Sequence, residues 1–283
     1  MTIKEQLLID NAINQALLED IGDGDHTSNA CIPIDQEGKA HLKIKDNGIL
    51  AGMAVAQRIF ELIDTKIKFI PYIADATPIK IGEIAFEVHG NTRNILLAER
   101  LVLNVMQRMS GIATYTHQLC QLVEGFSTIL LDTRKTTPNF RLFEKMAVKI
   151  GGGQNHRFGL YDMVMIKDNH IDFAGGIVPA IQRVHDYLAQ QSKNLYIIIE
   201  ARTIADVQAI VQYGGVNRIM LDNFSPALIK EALPWIPEQF ATEASGGITE
   251  KTLKEYAATG VDYISIGALT RDATTLDLSL KAF

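Results

Sequence analysis

Thirty-nine residues, Asp132 to His170, gather most of the chain's reactive side chains: DTRKTTPNFRLFEKMAVKIGGGQNHRFGLYDMVMIKDNH. They carry seven Lys or Arg and two His against four acids, in a chain of formal net charge -6. The cations do not form a run. Short apolar stretches, a triple glycine and two turns separate them, which predicts that folding brings them to one place. Cations gathered on an acidic protein suit a small, multiply anionic ligand. A nucleic-acid surface is more extensive and more basic.

Taken singly, each piece has its own chemistry. Arg134 and Lys135 stand among Thr133, Thr136 and Thr137, a set of donors for carboxylate or phosphate oxygens. The bland alternative is an exposed basic turn neutralised by Asp132. In Gly151-Gly152-Gly153-Gln154-Asn155-His156-Arg157 the glycines permit positive φ and close approach of backbone N–H groups to an anion. His156 and Arg157 then supply carboxylate donors. Lys167 ends the apolar run MVMI, as an ammonium for an anion or as a Schiff-base amine. Glu200 and Asp222 follow two later apolar runs. They suit magnesium, or a cation developing on a substrate, unless Arg202 or Arg218 takes them as structural partners. Ser245-Gly246-Gly247 and Gly267-Ala268 are small-residue turns of the kind that hold phosphate through backbone N–H groups.

These side chains need elements to aim them. Ile129–Leu131, Met163–Ile166, Tyr196–Ile199, Ile219–Leu221, Phe240–Thr242 and Tyr263–Ile266 are apolar, β-branched-rich strands, each followed by a charged or small residue and then a helical segment. Continuous apolar strands imply a parallel sheet covered by helices. Six or seven such units predict a closed or nearly closed β/α barrel, whose chemistry gathers at the C-terminal strand ends. An open doubly wound sheet is the alternative, but no GxGxxG turn follows the first strand. The N-terminal part reads as a small α+β domain. It has a helix over Lys4–Leu18, the turn-rich EDIGDGDHTS, strands at Ala40–Lys45, Lys66–Ile70 and Ile84–Val88, and a helix over Val55–Ile63. A long helix then runs from Ile95 to about Val123, weakened or bent at Met109-Ser110-Gly111.

The chain has 283 residues, 47% of them apolar, enough for one large or two unequal domains. The N-terminus MTIKEQLLID has no apolar core of a signal peptide, and no apolar run approaches the ~20 residues of a membrane span. A cytoplasmic location is the default expectation, with no membrane or nucleic-acid partner. Cys31 and Cys120 show no metal or redox spacing and read as two reduced, buried thiols.

The ordered set EDIGDGDHTS, ERLVLNVMQRMSGIATYT, DTRKTTP, GGGQNHRFGLYD, IKDNH, IEAR, LDNF, EASGGI and ISIGAL resembles quinolinate phosphoribosyltransferase, from about Glu19 to Leu280. The resemblance implies an N-terminal α/β sandwich over 1–112, joined by the C-terminal 270–283, and an incomplete β/α (TIM-like) barrel over 113–269. It implies transfer of the phosphoribosyl group of phosphoribosyl pyrophosphate to quinolinate. The products would be nicotinate mononucleotide, pyrophosphate and carbon dioxide, formed with magnesium in a homodimer of shared sites. Matched motif by motif, Arg134, His156, Arg157 and Lys167 would bind the quinolinate carboxylates, and Arg100 would enter the partner's site. Lys135 would lie between pyridine ring and pyrophosphate. Glu200 and Asp222 would face ribose and metal, and Ser245, Gly246, Gly247, Gly267 and Ala268 would hold the 5-phosphate. One position departs: the family pattern continues ALTHS, whereas this chain reads Ala268-Leu269-Thr270-Arg271-Asp272. Three rivals remain: a paralogous phosphoribosyltransferase for another small acid, a Schiff-base aldolase using Lys167, and a catalytically silent anion-binding protein.

Overall fold

The computed structural model describes residues 3–283, which fall into two compact units. The first comprises 3–118, 136–152 and 269–283; the second comprises 119–135 and 153–268. Elements are numbered along the chain.

The first unit opens with helices α1 (Ile3–Ile21) and α2 (His26–Cys31). Strands β1 (Glu37–Ile44) and β2 (Gly48–Ile49), helix α3 (Met53–Ile63), and strands β3 (Lys68–Pro71), β4 (Pro78–Ile79) and β5 (Ile84–Asn91) follow. Helix α4 (Thr92–Leu122) comes next, and α5 (Arg141–Ile150) and the last strand β12 (Leu278–Ala282) complete the unit. Its antiparallel sheet has the order β12-β1-β5-β3, with Ala40 opposite Ala282 and Leu42 opposite Phe86. Alternation along β1 buries Ala40, Leu42 and Ile44. Phe86 gathers Phe60 and Phe69 at centroid distances of 6.1 and 4.6 Å. Asp10 of α1 accepts two hydrogen bonds from Arg58 of α3, at 2.8 and 2.9 Å.

The turn-rich EDIGDGDHTS contains the start of a helix. Asp25 caps α2 by accepting the Ser28 N–H at 3.0 Å, the kind of local contact by which a turn former begins a helix. Cys31, the last residue of α2, is exposed and Cys120 is half-buried, so neither is the buried thiol expected from the sequence. Their positions at a surface helix end and on one side of α4 decide this.

Helix α4 runs unbroken for 31 residues. Gly111 does not break it; a Cβ there would lie 1.8 Å from the carbonyl oxygen of Thr274. The glycine serves the close approach of the C-terminal segment. Gly151 plays the same part for α5, since its Cβ would lie 2.4 Å from the Ala113 oxygen. Its N–H, like that of Gly152, bonds back into the end of α5. These two glycines therefore end a helix and seat it on α4, and are not an anion loop. Residues 113–118 and the α5 segment, within the span 113–269 expected for the barrel, cluster with the first unit. Buried Phe143, Ala147 and Val148 give α5 its packing face, and Glu144 fixes it to Arg108 at 2.8 Å.

The second unit alternates strands and helices: β6 (Ile129–Leu131), β7 (Val164–Ile166), α6 (Asp168–Ala174), α7 (Ile177–Gln190), β8 (Ile197–Ala201), α8 (Ile204–Tyr213), β9 (Arg218–Asp222), α9 (Pro226–Ala232), β10 (Ala241–Ser245), α10 (Glu250–Ala257) and β11 (Tyr263–Ser265). The short helix α11 (Ala268–Arg271) follows. All six strands are parallel, in the order β6-β11-β10-β9-β8-β7. Gln154 adds a parallel bridge to Leu131 beyond β6, while β7 is the opposite edge. The result is the incomplete β/α barrel. Its strands are wholly buried where helices cover them, as all five residues of β8 are.

Candidate active site

Side chains from the C-terminal ends of the second unit's strands converge. Lys167 follows β7 directly and is the N-cap of α6. Its ammonium donates to Glu200 Oε1 at 2.6 Å, and the Asp168 N–H donates to Glu200 Oε2 at 2.9 Å. The Glu200 side chain is 6% exposed and that of Lys167 is 45% exposed, so the lysine keeps contact with solvent while holding a buried carboxylate. Asp222 ends β9, and its Oδ2 accepts from Asn223 Nδ2 at 2.8 Å. Burial, and then the charge of Glu200, hold the Asp222 carboxyl above its ordinary value, with Lys167 acting against them. The two acids are therefore neighbours, as the strand ends predict. Neither pairs with the arginines weighed as structural partners: Arg202 bonds Asp172 and Arg218 bonds Glu243.

On the cationic side, Arg157 is buried, and its Nη1 reaches the Met163 oxygen at 3.4 Å. Burial lowers its pKa, and so does the charge of nearby Arg134; Asp162 and Glu200 act in the opposite direction. Two guanidiniums close enough to repel, one of them buried, form a site that becomes more favourable when an anion arrives. Beside Arg157, a cleft of about 350 Å³ runs along the β7 edge, lined mainly by apolar side chains including Met163 and Met165, with His170 and Arg183.

Lys135 is exposed, and its side chain lies along Gly267: a Cβ at that glycine would meet Lys135 Cδ at 3.0 Å. Gly267 thus leaves room for the lysine just before α11. Ser245 ends β10, and Gly246 and Gly247 both take positive φ, 95° and 62°. A Cβ on Gly246 would meet Asn223 Oδ1 at 2.2 Å. The backbone here turns in a way only glycine accepts without strain, beside the Asp222 strand end, where the Asn223 N–H donates to the Ser245 oxygen at 2.8 Å.

The structure links Arg134 to Arg157, Arg157 to Glu200, and Glu200 to Lys167 and Asp222, with Lys135 against Gly267. His156 faces protein groups on both ring nitrogens. The ring is 4% exposed, its Nδ1 accepts the Arg157 N–H at 2.7 Å, and its Nε2 lies 3.3 Å from Glu243 Oε2. Glu243, fully buried in the middle of β10, is the residue sequence reading passed over as a strand end. Its signal was an acid inside an otherwise apolar run. Arg100 lies on α4 in the first unit and is exposed. Arg271 is exposed and engaged by Asp272 through two hydrogen bonds, at 2.5 and 2.7 Å.

Among the described residues no three His, Cys, Asp or Glu side chains group as metal ligands. Glu200 already has both oxygens engaged. Two acids, one of them already engaged, suit a cation held mainly by other ligands rather than a cage built by the protein.

Residues 25–110 match the quinolinate phosphoribosyl transferase N-terminal domain, and residues 112–281 match the C-terminal domain of the same family. The chain is 46% identical over 281 residues to a protein of Nicotiana tabacum named quinolinate phosphoribosyltransferase [decarboxylating] 2a, mitochondrial, covering 94% of this chain and 80% of that one. It is 39% identical to a probable nicotinate-nucleotide pyrophosphorylase [carboxylating] of Bacillus subtilis, covering 97% and 93%. The crystal structure of NadC from Streptococcus pyogenes superposes with a TM-score of 0.91 at 37% identity, covering 97% of this chain and 96% of that one.

Proposed function

The chain belongs to the quinolinate phosphoribosyltransferase family, and from that premise we infer how its site performs the decarboxylating transfer. The enzyme joins quinolinate to the phosphoribosyl group of phosphoribosyl pyrophosphate, in NAD biosynthesis. Quinolinate carries two adjacent carboxylates. Arg134, Arg157 and Lys167 bind them and hold the ring plane so that its nitrogen faces C1 of the sugar. A bond forms between that nitrogen and C1 as the C1–oxygen bond to pyrophosphate breaks. Positive charge grows on the ribose, and Glu200 and Asp222 stabilise it. Lys135 lies between the pyridine ring and the leaving pyrophosphate. Ser245, Gly246, Gly247, Gly267 and Ala268 present backbone N–H groups to the 5-phosphate. Asp222, with Glu200 beside it, would hold a magnesium ion brought by the pyrophosphate, and that ion would supply charge neutralisation for the leaving group.

After transfer the pyridinium nitrogen withdraws electrons from the ring. The C2–carboxylate bond breaks, carbon dioxide leaves, and its electron pair remains at C2 until a proton arrives. No covalent enzyme intermediate is needed. The observation that carries this reading is the meeting of Arg134 and Arg157 with the Lys167–Glu200 pair and Asp222 at one end of the barrel. The protein works as a homodimer in which Arg100 of each subunit enters the other's site. The exposure of Arg100 on α4 supports this reading.

The test is product analysis with quinolinate, phosphoribosyl pyrophosphate and magnesium. Nicotinate mononucleotide, pyrophosphate and carbon dioxide are expected in equal amounts. Transfer to another pyridine acid with no carbon dioxide released would assign the chain to a paralogous activity.

A further inference from the structure

Below the strand ends, the barrel interior holds charged groups that the reaction above does not use. Arg218 begins β9 and Glu243 is the middle residue of β10. Arg218 Nη1 donates to Glu243 Oε2 at 2.8 Å, and His156 Nε2 lies 3.3 Å from the same oxygen. The three side chains are 10%, 0% and 4% exposed. The Arg218 guanidinium lies over the Tyr263 ring, 3.9 Å from its centroid, and 5.4 Å from that of Tyr196. A cation between two aromatic rings makes a firm floor for the carboxylate above it.

His156 carries this floor upward. Its Nδ1 accepts the Arg157 N–H at 2.7 Å, and its own backbone N–H donates to Asp132 Oδ1 at 2.9 Å. A ring nitrogen that accepts a backbone N–H carries no proton, so the ring proton sits on Nε2, toward Glu243. One side chain thus ties the buried carboxylate to the main chain of the residue whose guanidinium serves the site. A buried ion pair is weak support for stability, since well-packed apolar side chains often replace it without loss. Its value lies in direction: a charged partner selects one tautomer and one ring orientation.

We propose that Arg218 and Glu243 are positioning residues for the acid substrate, acting through the Nε2–H tautomer of His156 to set the main chain, and so the guanidinium, of Arg157. The inference rests on the reading of Arg157 as a carboxylate ligand.

The test uses the full-length enzyme. The double variant Arg218→Met with Glu243→Leu removes both charges at similar volume. It is expected to raise KM for quinolinate at least tenfold while KM for phosphoribosyl pyrophosphate stays within about threefold and Tm within a few degrees. Equal movement of both KM values, or none in that for quinolinate, would overturn the proposal. Should the variant not fold, nitrogen-15 NMR of the wild-type His156 ring decides. Protonated Nε2 with bare Nδ1 is expected, and a proton on Nδ1 would overturn the idea. Arg157→Ala is measured alongside. Unchanged quinolinate binding there would refute the underlying site reading, whatever the double variant does.

Discussion

At the scale of single residues, Arg134 and Arg157 carry the sharpest expectation. In the proposed mechanism each guanidinium holds a substrate carboxylate in a partly desolvated place, and removal of one such donor costs about 3 kcal/mol of transition-state stabilisation by comparison with oxyanion-hole deletions. Arg134→Ala and Arg157→Ala should each lower kcat/KM at least a hundredfold with the thermal transition nearly unmoved. Steady-state rates of carbon dioxide release beside a melting curve check this, and a near-normal rate in either variant removes that residue from the site. Arg134 was singled out because a cation after an apolar strand has few structural reasons to be there, and Arg157 because it follows a glycine run beside a histidine. The orientation of the His156 ring was not legible. Which way an imidazole turns depends on Glu243, 87 positions later, and on a backbone N–H. No spacing rule carries that information.

At the scale of elements, the junctions are set by close approach. Gly111→Ala places a Cβ against the backbone oxygen of Thr274, which has no side-chain freedom with which to yield. Overpacking of this kind costs about 1–3 kcal/mol or more. A loss in that range should appear in urea unfolding, while Ala substitution at exposed Gly82, with open space but positive φ, tests the strain of backbone alone. The α1–α3 pair gives a second, pH-dependent expectation. The Arg58 hydrogen bond holds the Asp10 carboxyl below its ordinary value of about 3.9. Its contribution is therefore present above that value and lost as pH falls through the lowered folded one. Asp10→Asn should cost about 0.5–1 kcal/mol at neutral pH, as partly exposed pairs do. The gap from wild type should close below pH ~4; a constant gap in acid unfolding curves would show that the carboxylate charge is not its source. The expected helices and strands agree to within a few residues, since their period follows from which face is buried, while the short α2, β2 and β4 and the last strand β12 were not read. The long run of α4 was among those expected, but what Gly111 admits was not, because a glycine that bends a helix and one that admits a neighbour look alike in one dimension.

At the scale of the whole molecule, the dimer reading makes a prediction of its own. Arg100→Ala and Arg134→Ala subunits should each be nearly inactive alone. Mixed under subunit exchange, they should recover part of the activity, because one site in each mixed dimer then has both arginines. Assay after exchange, with sedimentation to confirm mixed dimers, tests this; no recovery at all would confine each site to one subunit. The assignment of α5 to the first unit belongs at this scale too. The sequence between β6 and Gln154 reads as one more barrel crossover, and only the packing of Phe143, Glu144 and Gly151 places it elsewhere.

The sequence by itself determined the parallel strands, the residues at their ends and the small anionic class of ligand. Burial on both faces forces continuous apolar runs, and charges that interrupt such runs fall where strands stop. Only tertiary structure decided which acid takes which cation: Lys167 with Glu200, Arg218 with Glu243, and His156 turned inward between Glu243 and Arg157. Those pairings depend on distances across the barrel of a few ångströms. Electrostatic and hydrogen-bond energies change steeply over such distances, while separation along the chain is silent about them.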